Sequence, residues 1–255
     1  MSAKKRATPQ RLSQGNRTLH SRDGSLALTP SASPSSSRVA PDELAKVVNN
    51  AVHYILASDQ HKRAITRADI VKNVLKGSSC SFAEVLKEVR RKLTHVFGCE
   101  LVDVKQNTYI LISKTKVPDA SKFLEKSDEE CTKQGFIALV LALIMMMEGC
   151  VEEEQLCNLL ASLGVALDSP DPVLGDVKKW MSTDLVKQLY LDYSKIEGSQ
   201  PPKFQYKCGP RAQYEFPKKD LLELVCEVHG DGVQPEQWLS VFNDIKEQQA
   251  SQQKG

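Results

Sequence analysis

Hydrophobic residues recur along the chain at spacings that change from one segment to the next, and these spacings predict the order of the elements. From Leu44 to Leu56 apolar side chains return every three or four residues, as on the buried face of an amphipathic helix. A second helix is predicted to begin at Thr66, because Asp69 three residues later can complete a capping box. Gly77 is predicted to end that helix.

A third helix and a hairpin are predicted next. The helix begins at Ser81 and stops at Gly98, a residue type common at helix C-termini. Leu101–Val104 and Tyr109–Ile112 are rich in β-branched and aromatic residues, which predicts two strands joined by a turn. Three helices followed by a two-stranded hairpin make a winged helix, a variant of the helix-turn-helix architecture.

The same order of elements is predicted a second time after a polar linker. Helices are predicted at residues 132–147, 152–163, 174–181 and 182–189, strands at 190–196 and 203–206, and final helices from Pro217 and Pro235. The predicted fold class is therefore mainly α with small β hairpins, an α+β protein of tandem winged-helix domains. The predicted boundaries are a basic Ser/Pro-rich tail at 1–41, domain A at 42–113, a linker at 114–130, domain B with C-terminal helices at 131–246 and a frayed tail at 247–255.

Charge is distributed unevenly between the tail and the rest of the chain. Of 34 Lys and Arg and 32 Asp and Glu, residues 1–40 carry seven basic residues and one acid, Asp23, which leaves 27 basic and 31 acidic residues elsewhere. The tail has too few apolar residues to form a core, so it is predicted to be disordered. The slightly acidic remainder can offer a basic surface only where lysines cluster locally.

Basic residues of the predicted second domain are the candidates for such a surface, since clustered Lys and Arg bind DNA phosphates without reading bases. The candidate DNA contacts are Lys178, Lys179, Lys187, Lys207, Arg211, Lys218 and Lys219. Three acidic neighbours, Asp176, Asp184 and Asp220, dilute this charge. Arg211 follows a Gly-Pro turn, where it could instead hold a structural carboxylate or carbonyl.

Other classes of function find little support in the sequence. The longest apolar run, residues 135–147, has 13 residues, whereas a membrane-spanning helix needs about 20, so a buried core helix is predicted. Seven scattered cysteines without a C-x-x-C pair favour free thiols in a reducing, intracellular compartment. No phosphate loop, dinucleotide motif, metalloprotease motif or nucleophile elbow occurs, so no catalytic residue, metal ligand or cofactor is predicted.

Several segments, in their order and spacing, resemble the MAGE homology domain over roughly residues 44–242. They are ITRADIVKNVLK at 65–76, HVFGCELVDV at 95–104, TYIL at 108–111, VLGDVKKWMSTDLVKQLYLDY at 173–193 and PPKFQYKCGPRA at 201–212. Residues 55–60, together with ITRADI, resemble one branch in particular. That branch is the non-SMC-element-three type of subunit found in the Smc five–six chromosome-maintenance complex.

The resemblance implies a non-catalytic adaptor made of tandem winged helices. Such an adaptor binds a RING-type ubiquitin ligase, which it stabilises or stimulates. In the chromosome branch it also binds a kleisin-type subunit, with auxiliary non-specific DNA binding. It implies a role in DNA repair and recombination in the nucleus, on chromatin, with the cytoplasm as a further location, and neither a membrane nor a small-molecule substrate. The family's RING contact centres on a paired-leucine motif, which falls here on Ile55 and Leu56.

The apolar helix near 132–147 could supply one wall of a kleisin groove between the two domains. The candidates are Leu143, Met146 and Met147, because flexible methionines suit an adaptable apolar groove for an amphipathic helix. Two alternatives stay open. The chain could be a winged-helix protein that binds DNA directly, or a MAGE adaptor for a different RING ligase.

Overall fold

A computed structural model describes residues 41–114, 126–230 and 232–252. Two winged helices follow each other in this part of the chain, and both belong to one compact unit. The predicted class, a mainly α protein with tandem winged helices, is confirmed. Most of the predicted basic tail and of the predicted linker lies outside the described residues.

The first winged helix contains three helical segments and a three-stranded antiparallel sheet. In chain order the elements are α1 (Pro41–Asp59), β1 (Ile65–Thr66), α2 (Arg67–Ile70) with a π-helical turn (Val71–Leu75), α3 (Phe82–Phe97), β2 (Cys99–Lys105) and β3 (Thr108–Ser113). The strand order is β1-β3-β2. Leu101 pairs with Leu111 and Ile65 with Tyr109, so one face of the sheet lies against the helices.

Local sequence signals account for the ends of these helices. Thr66 Oγ1 accepts a hydrogen bond from the backbone N–H of Asp69 at 3.1 Å, as the capping pattern predicted. Gly98 ends α3 with φ at 63°, the left-handed conformation that glycine adopts without steric cost. Ser81 precedes α3 as predicted, but its side chain makes no capping hydrogen bond.

The second winged helix repeats this order and adds helices at its C-terminal end. Its elements are α4 (Asp128–Met146), β4 (Cys150–Glu152), α5 (Glu153–Ser162), α6 (Val177–Lys179) with a π-helical segment (Trp180–Leu185), β5 (Leu191–Lys195) and β6 (Phe204–Cys208). Then come α7 (Pro210–Glu215), α8 (Lys218–His229), a 3-10 turn (Pro235–Gln237) and α9 (Leu239–Gln252). The strand order is β4-β6-β5.

The structure corrects several predicted elements of this second repeat. The helices predicted at 174–181 and 182–189 form one continuous helical stretch, 177–187, in which Ser182 Oγ donates a hydrogen bond back to the carbonyl of Lys178. The first helix begins at Asp128, inside the predicted linker, because Ser127 and Glu130 form a complete capping box. The last helix extends to Gln252, beyond the predicted end at 246.

Three short elements were not predicted at all. β1 and β4 have two and three residues, too few to show an alternating hydrophobic pattern. The helix α7 has six residues and begins at Pro210 of the predicted Gly-Pro turn, in a segment for which no helix was predicted. These elements matter because β1 and β4 complete the two sheets, and α7 joins the two winged helices.

Each winged helix has its own hydrophobic core. In the second, buried residues of α4 such as Val140, Leu141 and Ile144 confirm the predicted core helix. No helix in the described ranges is long and apolar enough to cross a membrane. The two winged helices meet where α7 packs against β3. Ile110 of β3 is fully buried but lies outside the first core, as expected for a side chain on the sheet face that α7 covers.

Candidate partner-binding surfaces

An arginine buried between the two winged helices organises their contact. Arg211 has no exposed surface, and its guanidinium is shared by both winged helices. In the second winged helix its Nε donates to the carbonyl of Gln188 at 2.8 Å and its Nη1 to Glu215 Oε1 at 3.0 Å. In the first, its Nη2 donates to the carbonyl of Lys62 at 3.2 Å, and its Nη1 lies 3.6 Å from Asp59 Oδ1.

Further charged and polar groups close this contact, which we call the Arg211 junction (Asp59, Lys62, Tyr190, Arg211 and Glu215). Lys62 Nζ lies 3.2 Å from Asp59 Oδ2 and 3.3 Å from Glu215 Oε1, so two cations and two carboxylates alternate. The hydroxyl of Tyr190 donates to Glu215 Oε2. Burial, followed by the negative charge of Glu215, raises the pKa of Tyr190 far above its ordinary value, so this phenol stays a proton donor.

The backbone around α7 places Arg211 in this position. Leu189 adopts a left-handed conformation with φ at 67°, and its carbonyl accepts the N–H of Arg211 at 3.0 Å. Gly209 donates to the carbonyl of Tyr190 at 2.7 Å. A Cβ atom at residue 209 would lie 2.3 Å from the Leu189 carbonyl oxygen, so only glycine fits this approach.

A groove in the second winged helix has a volume of about 1020 Å3. Its walls are the end of α4, the end of β6, α7, the start of α8 and the segment from the 3-10 turn into α9. Apolar lining residues include Met145, Met146, Ala212, Tyr214, Trp238 and Leu239. Lys218 of α8 and Asp244 of α9 form an ion pair at 3.4 Å between two of the walls.

This groove differs from the predicted kleisin groove in two respects. All of its lining residues belong to the second winged helix, whereas the kleisin groove was predicted between the two domains. Of the candidates Leu143, Met146 and Met147, only Met146 lines it. Leu143 and Met147 instead pack against the hydrophobic core of the same winged helix as partly buried residues.

One thiol belongs to the groove wall. Cys208, the last residue of β6, lines the groove, and burial raises the pKa of its thiol to about 11. The side chain therefore carries no charge at neutral pH and contributes to an apolar wall.

The predicted RING-binding pair is divided between core and surface. Ile55 has no exposed surface and belongs to the core of the first winged helix, so the structure removes it from the predicted contact surface. Leu56 packs against the same core but is partly exposed. Adjacent helical residues point about 100° apart, which explains the division. Leu56 lies in the last turn of α1, one turn before Asp59 of the Arg211 junction.

The predicted DNA contacts do not form one free basic surface. Arg211 is wholly buried, so its candidate role as a DNA contact is wrong, and the structural alternative describes it. Lys178, Lys218 and Lys219 form ion pairs with Asp168, Asp244 and Glu223. Lys207 stands opposite Asp192 on the neighbouring strand. Lys179 and Lys187 are exposed on the 177–187 helix and form no ion pair within the described ranges.

The amino-acid sequence of the chain matches the model of one known protein family. The model of the MAGE homology domain matches residues 51–109 and 104–219, which together cover most of both winged helices. The chain belongs to the MAGE homology domain family.

Individual relatives of this MAGE protein include chromosome-maintenance subunits. The chain is 32% identical over 213 residues to the human "Non-structural maintenance of chromosomes element 3 homolog", covering 83% of this chain and 69% of that protein. The mouse homolog is 31% identical over 193 residues, covering 75% and 68%. Human Melanoma-associated antigen D2 is 30% identical over 201 residues, 78% of this chain but only 32% of that longer protein.

A solved structure with the same fold comes from the "Nse1-Nse3-Nse4 complex". The MAGE chain matches it with a TM-score of 0.75 and 29% identity, over 81% of this chain and 99% of that chain. The resemblance inferred from sequence segments, to the family and to its non-SMC-element-three branch, is thereby confirmed.

Most residues of the Arg211 junction in this MAGE protein could not be predicted from the sequence. Asp59 and Glu215 lie 156 positions apart in the numbering, and nothing in their local patterns indicates that they meet. The one usable signal was the Gly209-Pro210-Arg211 turn, which suggested a structural arginine but not its partners. Among the described residues no group of three or more His, Cys, Asp or Glu is arranged to hold a metal ion.

Proposed function

We propose that this chain is a non-catalytic adaptor subunit of an Smc five–six type chromosome-maintenance and DNA-repair complex, located in the nucleus on chromatin. It joins a RING-type ubiquitin ligase subunit to a kleisin-type subunit. The observation that carries the proposal is the likeness to a chain of the Nse1-Nse3-Nse4 complex over 99% of that chain's length. Ubiquitin transfer belongs to the RING subunit and its conjugating enzyme, which the adaptor positions and stimulates.

The RING subunit docks on the first winged helix, around Leu56 at the end of α1. Leu56 is a partly exposed apolar side chain fixed on a rigid helix whose other face is core. A few such apolar anchors supply most of the binding energy of a typical interface.

The kleisin-type subunit docks in the groove of the second winged helix. A groove of about 1020 Å3 lined by Met, Trp, Tyr and Leu side chains accepts the apolar face of an amphipathic helix.

Co-purification with the Nse1-type RING subunit of the same organism tests the first contact. Leu56→Ala should abolish the complex while circular dichroism and melting show a folded protein. Val71→Ala is the matched control, since Val71 is also an exposed apolar residue of the first winged helix but lies on another helix. No complex with the unmodified chain would contradict the adaptor proposal.

Binding of the Nse4-type kleisin subunit, measured by calorimetry, tests the second contact. Leu239→Asp places a charge in the groove at a residue that is 67% exposed, so it should weaken binding at least tenfold without unfolding the chain. Val228→Asp is the control, because Val228 is 77% exposed and lies outside the groove lining. Equal effects of the two substitutions would argue against this groove as the docking site.

Two other functions are supported by particular observations. Lys179 and Lys187 on the exposed side of the 177–187 helix favour auxiliary, non-specific DNA binding. The identity to human Melanoma-associated antigen B10, 33% over 179 residues, supports the alternative of a MAGE adaptor for a different RING ligase. The RING protein that co-purifies with the chain decides between the two adaptor roles.

A further inference from the structure

The helix α7 presents residues to both proposed docking sites. Arg211 and Glu215 face the first winged helix through the Arg211 junction. Ala212, Gln213 and Tyr214, the residues between them, line the groove. We propose that α7 couples the two sites, so that binding of the RING-type subunit changes the affinity for the kleisin-type subunit and the reverse. This inference rests on the proposed function and adds regulation to it.

The first step of the coupling runs from Leu56 to the junction along α1. Leu56 and Asp59 are about 4.5 Å apart along the helix axis, at 1.5 Å per residue. A partner that contacts Leu56 and shifts the end of α1 therefore also displaces the Asp59 carboxylate. The loop directly after this turn also contacts the second winged helix, because Gln188 Nε2 donates to the His61 carbonyl at 3.3 Å and Arg211 to the Lys62 carbonyl.

The second step runs from the junction to the groove through α7 itself. A helix of six residues shifts as one body, so a displacement of Arg211 and Glu215 also displaces Ala212 and Tyr214. The N–H of Phe216 donates to the Ala212 carbonyl at 2.8 Å and ties α7 to the segment that leads into α8. Phe216, Pro217 and Lys218 in that segment line the groove as well.

The junction contains a contact that can change when a partner binds. Asp59 Oδ1 is buried and has no hydrogen-bond partner among the described residues, and its ion pair with Arg211 is the longest in the junction at 3.6 Å. A small movement of α1 can tighten or break this pair. Ion pairs at low dielectric respond strongly to such a change in distance.

A thermodynamic cycle with both partners measures the coupling. The probes are the purified Nse1-type and Nse4-type subunits of the same organism, and each dissociation constant is determined with and without a saturating amount of the other. Because coupling between binding sites is reciprocal, both subunits should change each other's affinity by the same factor, about 5-fold or more. Full-length chain is used throughout.

Three variants distinguish the route of this coupling. Asp59→Asn and Glu215→Gln remove one carboxylate charge of the junction with little change of shape, and neither residue lines the groove. Both should reduce the coupling factor towards one while each subunit still binds alone. Lys203→Gln is the control, since it removes an exposed ion pair with Glu152 away from the junction and the groove.

Hydrogen exchange on the chain without partners gives an independent reading. Asp59→Asn, a change in the first winged helix, should accelerate amide exchange in residues 210–221 of the second. Unchanged exchange there, or a coupling factor of one in the unmodified chain with both subunits bound, would overturn the coupling but leave the adaptor function standing. Failure of either subunit to bind the unmodified chain would overturn both.

Discussion

At the level of single residues, Arg211 stands out because its charge is buried and shared between two winged helices. Isolating a charge in a protein interior costs several kcal/mol unless carboxylates and carbonyls compensate it. Here two carboxylates and two carbonyls surround one guanidinium. The carboxylates of Asp59 and Glu215 in turn need the positive charge of Arg211, because removing it leaves their negative charges less well neutralised.

Replacing Arg211 by Met should therefore destabilise the protein strongly. The change leaves the Asp59 and Glu215 carboxylates with Lys62 as their remaining cation in the junction, and breaking a buried ion pair costs about 3–5 kcal/mol. Urea unfolding gives the difference in free energy. Arg91→Met is the control, because Arg91 forms an exposed ion pair with Glu88, and it should change stability by less than about 1 kcal/mol. Similar effects of both substitutions would contradict the proposed role of the junction.

Three tyrosines of the second winged helix should make stability fall at alkaline pH. Burial raises the pKa of Tyr193 to about 12 and raises those of Tyr190 and Tyr206 well above their ordinary value. An unfolded tyrosine loses its proton near pH 10, so the unfolded chain is favoured from about pH 10 upward until the folded groups ionise. Below pH 10 this contribution to stability is fully present.

Urea unfolding at a series of pH values between about 9 and 11 measures this loss. Tyr193→Phe should flatten the decrease, because one of the groups with a raised pKa is removed. The unmodified chain, measured at the same pH values, is the reference for this slope. If Tyr193→Phe gave the same slope as the unmodified chain, burial of Tyr193 would not be its cause.

At the level of elements, α7 owes its place to the close backbone approach at Gly209. Its own length is too short for a stable isolated helix, so packing and the hydrogen bonds to residues 189 and 190 must hold it. α4 is the opposite case, a long helix with a capping box and a buried apolar face that determine it locally. Glycine consequently has different roles in the two elements.

Two glycine-to-alanine substitutions should have opposite effects on stability. Gly209→Ala brings a Cβ to 2.3 Å from the Leu189 carbonyl oxygen, so the backbone must shift and stability should fall by about 1–3 kcal/mol. Gly135→Ala lies in α4 with no atom within 4 Å of the new Cβ, and it should raise stability by about 0.5–1 kcal/mol because alanine is the better helix former. Thermal and urea unfolding of both variants measure the two signs, and a loss at both positions would contradict this account.

At the level of the whole molecule, the features that could be predicted from the sequence are those that short local patterns determine, such as helix ends and buried helices. The capping signal at Thr66, the stop at Gly98 and the apolar run of α4 determined their helices, and two similar patterns predicted the tandem winged helices. The strands β1 and β4 escaped prediction because two or three residues carry no periodicity. Their pairing partners, β3 and β6, come much later in the chain.

The candidate site was less predictable than the fold, because it depends on distant residues. Ile55 and Leu56 have almost the same sequence environment, yet only the packing of α1 decides that Leu56 is partly exposed. The groove includes residues of α8 and α9, far from the predicted methionines in the sequence. The candidate lysines also differ in a way that a count of charges does not show. Lys178, Lys218 and Lys219 form ion pairs with acidic side chains, whereas Lys179 and Lys187 form none within the described ranges.

This division of the lysines leads to a prediction for DNA binding by the full chain. Binding to phosphates releases counterions, so affinity for duplex DNA should fall steeply with salt and show no preferred sequence. Lys179 and Lys187 should contribute two phosphate contacts, and replacing both by Ala should make the slope of log affinity against log salt less negative by about 2. Fluorescence anisotropy with duplexes of unrelated sequence measures this slope.

Lys218→Ala with Lys219→Ala is the control, because it also removes two lysines of the second winged helix, but ones that pair with Asp244 and Glu223. A pair of lysines whose charge is already compensated releases few additional counterions, so this variant should keep nearly the original slope. Equal slopes for the two double variants would mean that DNA does not distinguish paired from unpaired lysines on this surface. A preferred sequence that survives at high salt would instead indicate base contacts, and it would favour direct DNA recognition as the primary function over the adaptor role.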